Sequence, residues 1–259
     1  MTTTEPRTAS LKWWREVLYV LGFYGVYTVV RDTQGSAGRG FTTRGSVTAY
    51  HHARGVIQLE HDLWLFHERW LQSLFDGAGH FFQFWDVFYG SAHFAVTAAA
   101  IIWLFVRQPA RYSFWRNVLA ITTAMALVGF AAYPLMPPRL LDAASLLHPH
   151  IHYGFVDTLA RYGGGWSFDS GAMEKISNQY AAMPSLHFAW SSFCFLAFWP
   201  ACKRWWTRAL AALYPVATLF AIVVTANHYF LDAIGGAVAL SAGIVLARPV
   251  TRWMAARGL

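Results

Sequence analysis

The sequence predicts an all-α fold, namely a polytopic membrane helix bundle with about six transmembrane helices plus an amphipathic interfacial helix. Hydrophobic residues make up 56% of the 259 residues and charged residues only 13%, whereas a soluble domain has about 25% charged residues. Mean hydropathy is +0.33. The 13 Trp and 12 Tyr are typical of a chain that places amphipathic rings at bilayer interfaces. We therefore expect a single integral membrane domain over residues 1–259.

Six apolar runs account for the predicted spans. A helix needs about 20 residues to cross the hydrocarbon core. The first and fourth runs have only 14 residues each, so flanking tryptophans and polar residues must extend them. The runs are Val17–Val30, Phe81–Val106, Val118–Leu135, Leu186–Trp199, Ala209–Thr225 and Tyr229–Ala247.

The distribution of charge predicts how the chain is oriented. With the N-terminus inside, the cytoplasmic segments carry 12 basic and two acidic residues, and the other side carries 8 basic and 11 acidic residues. Short loops rich in Lys and Arg lie on the cytoplasmic side of membrane proteins. We therefore expect cytoplasmic N- and C-termini, a disordered cytoplasmic tail over residues 1–12, and an active site on the extracytoplasmic side. The net charge of +7 then reflects topology and does not indicate a nucleic-acid partner.

Two regions do not fit a span. Between Ser46 and Phe75, apolar residues recur every three to four positions, and charged residues such as Glu60 and Glu68 occupy much of the rest. This pattern predicts an amphipathic helix that lies in the outer interface or packs flat over the bundle. Residues 136–179 form a long loop rich in Gly, Pro and His, and loops of this length are usually functional or disordered. We expect this loop to lie over the site as a lid or headgroup pocket.

Two polar groups stand where apolar runs begin. Residues 184–187, Pro-Ser-Leu-His, open the fourth run, and His228 with Asp232 opens the sixth, 41 positions after His187. The chain crosses the membrane and returns between them, so both groups are expected at the same face. Pro and Ser are favoured where a helix begins, and residues four apart share a helical face. We expect the free amides of both helix N-termini to attract an anion such as phosphate.

These residue types suit phosphoryl transfer. A carboxylate one turn away holds a histidine in one tautomer, so His228 is the predicted nucleophile and Asp232 its orienting partner. His187 is expected to protonate the leaving alcohol and later to activate the acceptor. Ser185 is expected to donate a hydrogen bond to a phosphate oxygen, and Arg139 to neutralise its charge.

Residues 183–187 (Met-Pro-Ser-Leu-His) and 227–232 (Asn-His-Tyr-Phe-Leu-Asp) resemble the second and third signatures of the type 2 phosphatidic acid phosphatase superfamily. The Pro-Pro-Arg that ends at Arg139 resembles its first signature. The resemblance covers roughly Tyr133 to Gly236. It implies a six-helix membrane core, an extracytoplasmic or lumenal site, and a phosphohistidine mechanism that needs no metal or other cofactor.

The chain departs from the phosphatase branch of that superfamily at two phosphate-binding cations. Ala132 stands where the branch carries a lysine, and Ala221 and Ile222 stand where it carries Ser-Arg. The pattern of residues 225–232, Thr-x-x-His-Tyr-Phe-x-Asp, more closely resembles the inositol phosphorylceramide synthase branch. That resemblance implies transfer of a phospho-headgroup from one lipid to another.

The remaining predictions concern binding residues and alternatives. Asn227 completes the substrate-binding set, and Lys175 or Arg161 in the loop is expected to replace a missing cation. The expected partners are a phospholipid or other lipid phosphoester and a lipid alcohol acceptor. The alternatives are a phosphatase that releases inorganic phosphate from a lipid phosphate or polyprenyl diphosphate, and a non-catalytic transporter or scaffold. His93 is interpreted as a structural residue or, second, as part of a substrate pocket, and the loop histidines lack the cysteine partners that would favour a metal site.

Overall fold

The computed structural model describes residues 13–34, 44–146, 151–162 and 179–257. This part of the chain is helical and contains no β-strand, which confirms the predicted all-α class. Short 3-10 turns follow α5 and α7. The helices are α1 (Trp13–Gln34), α2 (Arg44–Asp62), α3 (Glu68–Ser73), α4 (Gly79–Arg107), α5 (Pro109–Ala132), α6 (Thr158–Tyr162), α7 (Leu186–Phe198), α8 (Trp205–Val224) and α9 (Phe230–Ala256).

Four of the described helices are long and apolar enough to cross a membrane. They are α4, α5, α8 and α9, with 29, 24, 20 and 27 residues. The other two predicted spans coincide with α1 and with α7, whose 13 residues reach only about 20 Å at a rise of 1.5 Å per residue. The chain is thus a multi-pass membrane protein, and the count of six spans stays a prediction.

Helix α9 packs along α5, and a glycine lets the two backbones approach closely. A Cβ atom at Gly243 would collide with the Thr122 side chain and lie 3.2 Å from the carbonyl oxygen of Val118. Lipid supplies no hydrophobic driving force between membrane helices, so small residues at such crossings stabilise the bundle through close packing. Around this contact, α4, α5, α7 and α9 share a buried apolar cluster that includes Leu104 and Phe193.

The predicted amphipathic segment forms two helices, α2 and α3, joined by a turn. Leu59, Leu63 and Trp70 are exposed, whereas Glu60 and Glu68 are fully buried against the start of α9. The charged residues of the amphipathic pattern thus do not all lie on the exposed side of the segment. The first backbone amides of α9 have no acceptor within the helix, and the two buried carboxylates accept their hydrogen bonds. The apolar side chains of this segment face outward instead.

The described part of the loop over residues 136–179 packs against the bundle. Met136, Leu140 and Leu141 are buried in a cluster that also contains Tyr50 of α2 and Tyr229. The remaining parts of the loop, residues 147–150 and 163–178, lie outside the described residues. Its function as a lid or headgroup pocket stays a prediction.

An ion pair attaches α1 to α5 at the end of the bundle where α5 begins. Arg116 donates to both carboxylate oxygens of Glu16, at 2.7 and 2.9 Å, and Tyr112 donates to the same carboxylate at 3.0 Å. Asn117 donates to Thr251 of α9 at 2.9 Å. This polar cluster lies at the end of the bundle that carries the predicted cytoplasmic loops.

Candidate active site

His228 lies in the short turn between α8 and α9. The backbone amides of Asn227 and His228 both donate to the carbonyl oxygen of Ile222 at 3.0 Å. Ala226 has a φ of +54°, a conformation that costs a residue with a Cβ atom about 1–3 kcal/mol. Surrounding contacts must therefore hold the turn, and one of them is a 2.8 Å hydrogen bond from the Arg139 amide to the Ala226 carbonyl oxygen.

Asp232 orients the ring of His228. Its Oδ2 atom lies 3.2 Å from Nδ1 of His228 and accepts a hydrogen bond from the Tyr229 amide at 2.9 Å. Both site side chains are buried. Because a carboxylate oxygen only accepts, the ring proton is favoured on Nδ1 and the lone pair on Nε2. The structure thus places the predicted nucleophile beside its predicted orienting partner.

His187 faces the unprotonated ring nitrogen of His228. Its Nδ1 atom lies 3.3 Å from Nε2 of His228, which carries no proton in this tautomer, so His187 donates. The ring of His187 stacks on Tyr89, with centroids 4.2 Å apart and planes at 22°. The two histidines predicted to meet at one end of the bundle are therefore in direct contact.

A third histidine, His93 of α4, packs against His187. The two ring centroids are 4.2 Å apart, and Nδ1 of His93 lies 2.9 Å from the carbonyl oxygen of Tyr89. The carbonyl only accepts, so the proton of a neutral His93 ring is on Nδ1. His93 also lines a small cavity with His187 and Thr218. Its position is compatible with both interpretations drawn from the sequence.

Backbone contacts lock the start of α7 into α9. Ser185 caps α7, as predicted, because its hydroxyl oxygen accepts from the Phe188 amide at 3.4 Å. The Ser185 amide donates to the carbonyl oxygen of Asp232 at 2.9 Å. Gly236 permits this approach, since a Cβ atom there would collide with the carbonyl oxygen of Ser185. The two halves of the site are thus held in register by the main chain.

Carboxylates of the protein itself occupy the N-terminus of α9. The Phe230 amide donates to Glu68 Oε1 at 3.1 Å, and the Leu231 amide donates to Glu60 Oε1 at 2.8 Å. The preceding amide is bound by Asp232. The expectation that free amides at this helix end bind phosphate is therefore wrong for α9, although its physical basis, the affinity of a helix N-terminus for anions, holds.

Arg139 lies beside the His228 turn and pairs with an acid. Its Nη1 atom is 2.8 Å from Oδ2 of Asp157, and its side chain is buried. Asp157 Oδ1 also accepts from the Ala160 amide at 3.1 Å, which anchors the start of α6. The Arg139 amide thus binds the turn at Ala226, two residues before His228, and the function of Arg139 as a phosphate ligand stays a prediction.

A buried polar network that the sequence did not predict links this region to α4. Thr158 donates to Asp86 at 2.9 Å and lies 3.4 Å from the carbonyl oxygen of Thr225. The side-chain amide of Asn227 donates to the Thr225 hydroxyl at 2.9 Å, so this predicted substrate ligand closes the turn. Its contact with substrate stays a prediction. The partners of Thr158 are 72 and 67 positions away, and no local pattern joins them.

Two further points concern the phosphate-binding cations that the sequence lacks. Lys175 lies outside the described residues. Ala221 and Ile222, which stand where the phosphatase branch carries Ser-Arg, are fully buried. Within the described ranges, no group of three or more His, Cys, Asp and Glu residues is placed to hold a metal ion.

Comparison with known families gives one match. A family model described as the PAP2 superfamily matches residues 54–246, which is well over half of the 259 residues and includes His187, His228 and Asp232. The chain belongs to the PAP2 superfamily. No curated protein and no solved structure matches it.

Membership of the PAP2 superfamily, together with the four apolar helices, supports a membrane enzyme of the lipid phosphatase or phosphotransferase type. It also supports a lipid phosphoester as the substrate. The match does not separate the branches of the superfamily. The choice between phosphatase and transferase therefore depends on the chemistry of the site itself.

Proposed function

We propose that this PAP2 superfamily protein works through a phosphohistidine at His228 and transfers a phospho-headgroup from one lipid to another, as an inositol phosphorylceramide synthase-like phosphotransferase. Two contacts in series support the proposal most directly. Asp232 Oδ2 lies 3.2 Å from His228 Nδ1, and His228 Nε2 lies 3.3 Å from His187 Nδ1. This arrangement prepares one nitrogen as a nucleophile and places an acid–base group beside it.

In the first step, Nε2 of His228 attacks the phosphorus of the donor lipid and the bond from phosphorus to the lipid oxygen breaks. His187 enters this step protonated on both ring nitrogens and gives one proton to the departing oxygen, so the donor leaves as an alcohol. Nδ1 of His228 keeps its proton. Asp232 stabilises the positive charge that develops on the phosphorylated ring.

In the second step, the hydroxyl group of the acceptor lipid attacks the phosphohistidine. The neutral His187 takes the proton of this hydroxyl, the P–N bond breaks, and His228 regains its lone pair. The sum of both steps moves the phospho-headgroup and consumes no water. Water in place of the acceptor alcohol would make the same site a phosphatase.

The charge near the site favours a phosphodiester over a phosphate monoester. A monoester carries about −1.5 to −2 at neutral pH, whereas a diester carries a single negative charge. Among the described residues near the His228 turn, Arg139 is balanced by Asp157, and the apolar Ala221 and Ile222 replace the expected Ser-Arg. The described part of the site, in which Arg139 is paired with Asp157, is better suited to the monoanionic phosphodiester of a phospholipid.

Lipid mass spectrometry with a parallel free-phosphate assay tests the function. Purified wild type and His228→Ala are incubated with mixed phospholipids, ceramide and diacylglycerol. We expect wild type to form a new phospho-headgroup lipid without releasing phosphate, and His228→Ala to form none because the nucleophile is gone. A labelled donor should also leave acid-labile phosphate on wild type only.

His80→Ala is the matched control, because His80 is exposed at the start of α4 and should leave turnover unchanged. Phosphate release alone would make the protein a phosphatase. Undiminished product formation by His228→Ala would remove the phosphohistidine. A folded wild type without any turnover would favour the transporter or scaffold.

A further inference from the structure

Two buried carboxyl groups lie directly behind the catalytic turn. Glu60 lies in the last turn of α2 and Glu68 begins α3, and both are 0% exposed. They come from the segment that the sequence predicts to be interfacial, and neither takes part in the proposed reaction. A buried carboxylate without a counter-charge is costly, so its persistence in the interior needs a physical reason.

Each glutamate binds one backbone amide of the first turn of α9. Glu60 Oε1 accepts from Leu231 at 2.8 Å, and Glu68 Oε1 accepts from Phe230 at 3.1 Å. These two amides lie between His228 and Asp232 in the chain. The glutamates therefore fix the backbone that sets the distance between the nucleophile and its orienting carboxylate.

The carboxyl groups of Glu60 and Glu68 lie next to each other. Glu60 Oε2 and Glu68 Oε2 are both fully buried without a hydrogen-bond donor from the described residues, and the two side chains are within hydrogen-bonding reach. Two ionised carboxylates would both accept and would repel each other. One proton between them satisfies both oxygens at once.

The surroundings favour this protonated state. Burial and the neighbouring Glu68 raise the pKa of Glu60 from 4.5 to about 10. The hydrogen bond from Leu231 acts in the opposite direction, and Asp232 adds further negative charge. The remaining titratable group that faces the pair is the buried Tyr229. No cation of the described residues faces it, so a proton is the charge that compensates.

We propose that Glu60 and Glu68 form a carboxylic acid–carboxylate pair that shares one proton and acts as a positioning device for His228 and Asp232. The pair carries one negative charge, which the N-terminus of α9 stabilises. It touches neither the substrate nor the reacting atoms. Its effect on turnover therefore acts through the backbone of Phe230 and Leu231, and the catalytic part of this inference rests on the proposed function.

Glutamine substitutions separate a shared proton from simple packing. In Glu60→Gln or Glu68→Gln, the amide oxygen still accepts from the backbone and the amide nitrogen donates to the remaining carboxylate, as the shared proton does. We expect each single variant to retain most of the wild-type kcat. In the double variant, two NH₂ groups face each other without an acceptor, so kcat should fall by about 10²-fold as the nucleophile is misplaced.

Glu60→Ala leaves the Leu231 amide without its acceptor and should lower kcat to a similar extent as the double variant, with KM little changed. If both single glutamine variants lose as much kcat as Glu60→Ala, the shared proton is excluded. If the double variant keeps wild-type kcat, the positioning function is excluded.

A stability measurement tests the pair without reference to turnover. The pKa of Glu60 in the folded protein is about 10, above its unfolded value of 4.5, so the folded state holds a proton that the unfolded state releases. The stability contribution of the pair is complete below the unfolded pKa and is lost as pH rises through the folded pKa. The thermal midpoint of wild type in detergent should therefore fall relative to that of Glu60→Gln between about pH 5 and about pH 9.

Glu16→Gln is the matched control, because Glu16 is a partly buried carboxylate whose partner is Arg116 at the other end of the bundle. Glu16→Gln should lower the thermal midpoint but keep the fall of the midpoint with rising pH that wild type shows. Glu60→Gln should remove that fall. A pH-independent difference between wild type and Glu60→Gln would overturn the shared proton even if the protein proves to be inactive. Loss of the proposed function shows instead as absent wild-type turnover.

Discussion

Three carboxylates, those of Glu60, Glu68 and Asp232, bind three successive backbone amides where α9 begins. At the scale of single residues, hydrogen bonds determine how the side chains of the site are oriented. Asp232 binds a backbone amide and the His228 ring with the same oxygen, so one residue fixes both the helix start and the tautomer of the proposed nucleophile. A phosphate must therefore be bound by groups other than the amides of α9.

Asp232→Asn tests the orienting function of the carboxylate. Asparagine is nearly the same size but carries no charge, so the phosphorylated ring loses its stabilisation and the wrong tautomer becomes accessible. We expect kcat to fall by about 10²–10⁴-fold with KM little changed. Steady-state kinetics with the donor lipid measure the effect. A loss confined to KM would instead assign Asp232 to substrate binding.

At the scale of elements, the start of α7 and the first turns of α9 behave as one interlocked unit. Ser185 donates to the carbonyl oxygen of Asp232 at 2.9 Å, and Gly236 leaves room for the Ser185 carbonyl oxygen. His187 lies two residues after Ser185, and Asp232 is itself one of the contact points. The contact between His187 and His228 therefore depends on how closely the two backbones approach.

Gly236→Ala should disturb this unit. The added methyl group would collide with the Ser185 backbone, which cannot rotate away as a flexible side chain can. We expect a loss of about 1–3 kcal/mol in stability together with a clear fall in kcat, since His187 must move relative to His228. Thermal unfolding and turnover of the same preparation measure both effects.

Gly243→Ala is the matched control, because Gly243 lies in the same helix α9 as Gly236. The added methyl group would meet the Thr122 side chain of α5. It should cost stability by overpacking α5 against α9 but leave kcat near the wild-type value. Equal loss of kcat in both variants would show that activity follows global stability and not the contact of α7 with α9.

At the scale of the whole molecule, the site lies at one end of the bundle and the basic loops at the other. His187 lies at the start of α7 and His228 precedes α9, whereas Cys202, Lys203 and Arg204 lie between the far ends of α7 and α8. This separation follows from the alternating direction of consecutive helices. With the positive-inside rule, it predicts an extracytoplasmic site.

Cysteine labelling tests this orientation. Cys202 is partly exposed and Cys194 is buried, so an impermeant maleimide should not label wild type in intact cells but should label Cys202 after permeabilisation. Ala78→Cys adds an exposed thiol at the turn before α4, at the end of the bundle that holds the site. We expect it to be labelled in intact cells. Labelling of Cys202 from outside would reverse the predicted topology.

Much of the site was predictable because its signals are local. His228 and Asp232 are only four residues apart, where α9 begins, Ser185 precedes an apolar run, and both polar groups stand where an apolar run begins. The faces of α2 and α3 were not predictable in this way. Glu60 and Glu68 look like surface residues of an amphipathic segment, and only the distant amides of Phe230 and Leu231 explain their burial.

By itself the sequence determined the helical class, four long apolar helices, the superfamily signatures and the pairing of His228 with Asp232, because each depends on residues close together in the chain. Tertiary structure alone decided that carboxylates occupy the N-terminus of α9, that His93 packs on His187, and that Arg139 pairs with Asp157. The physical reason is that the free energy of a buried polar group depends on its hydrogen-bond partners in space, which can lie more than 100 residues away in the chain.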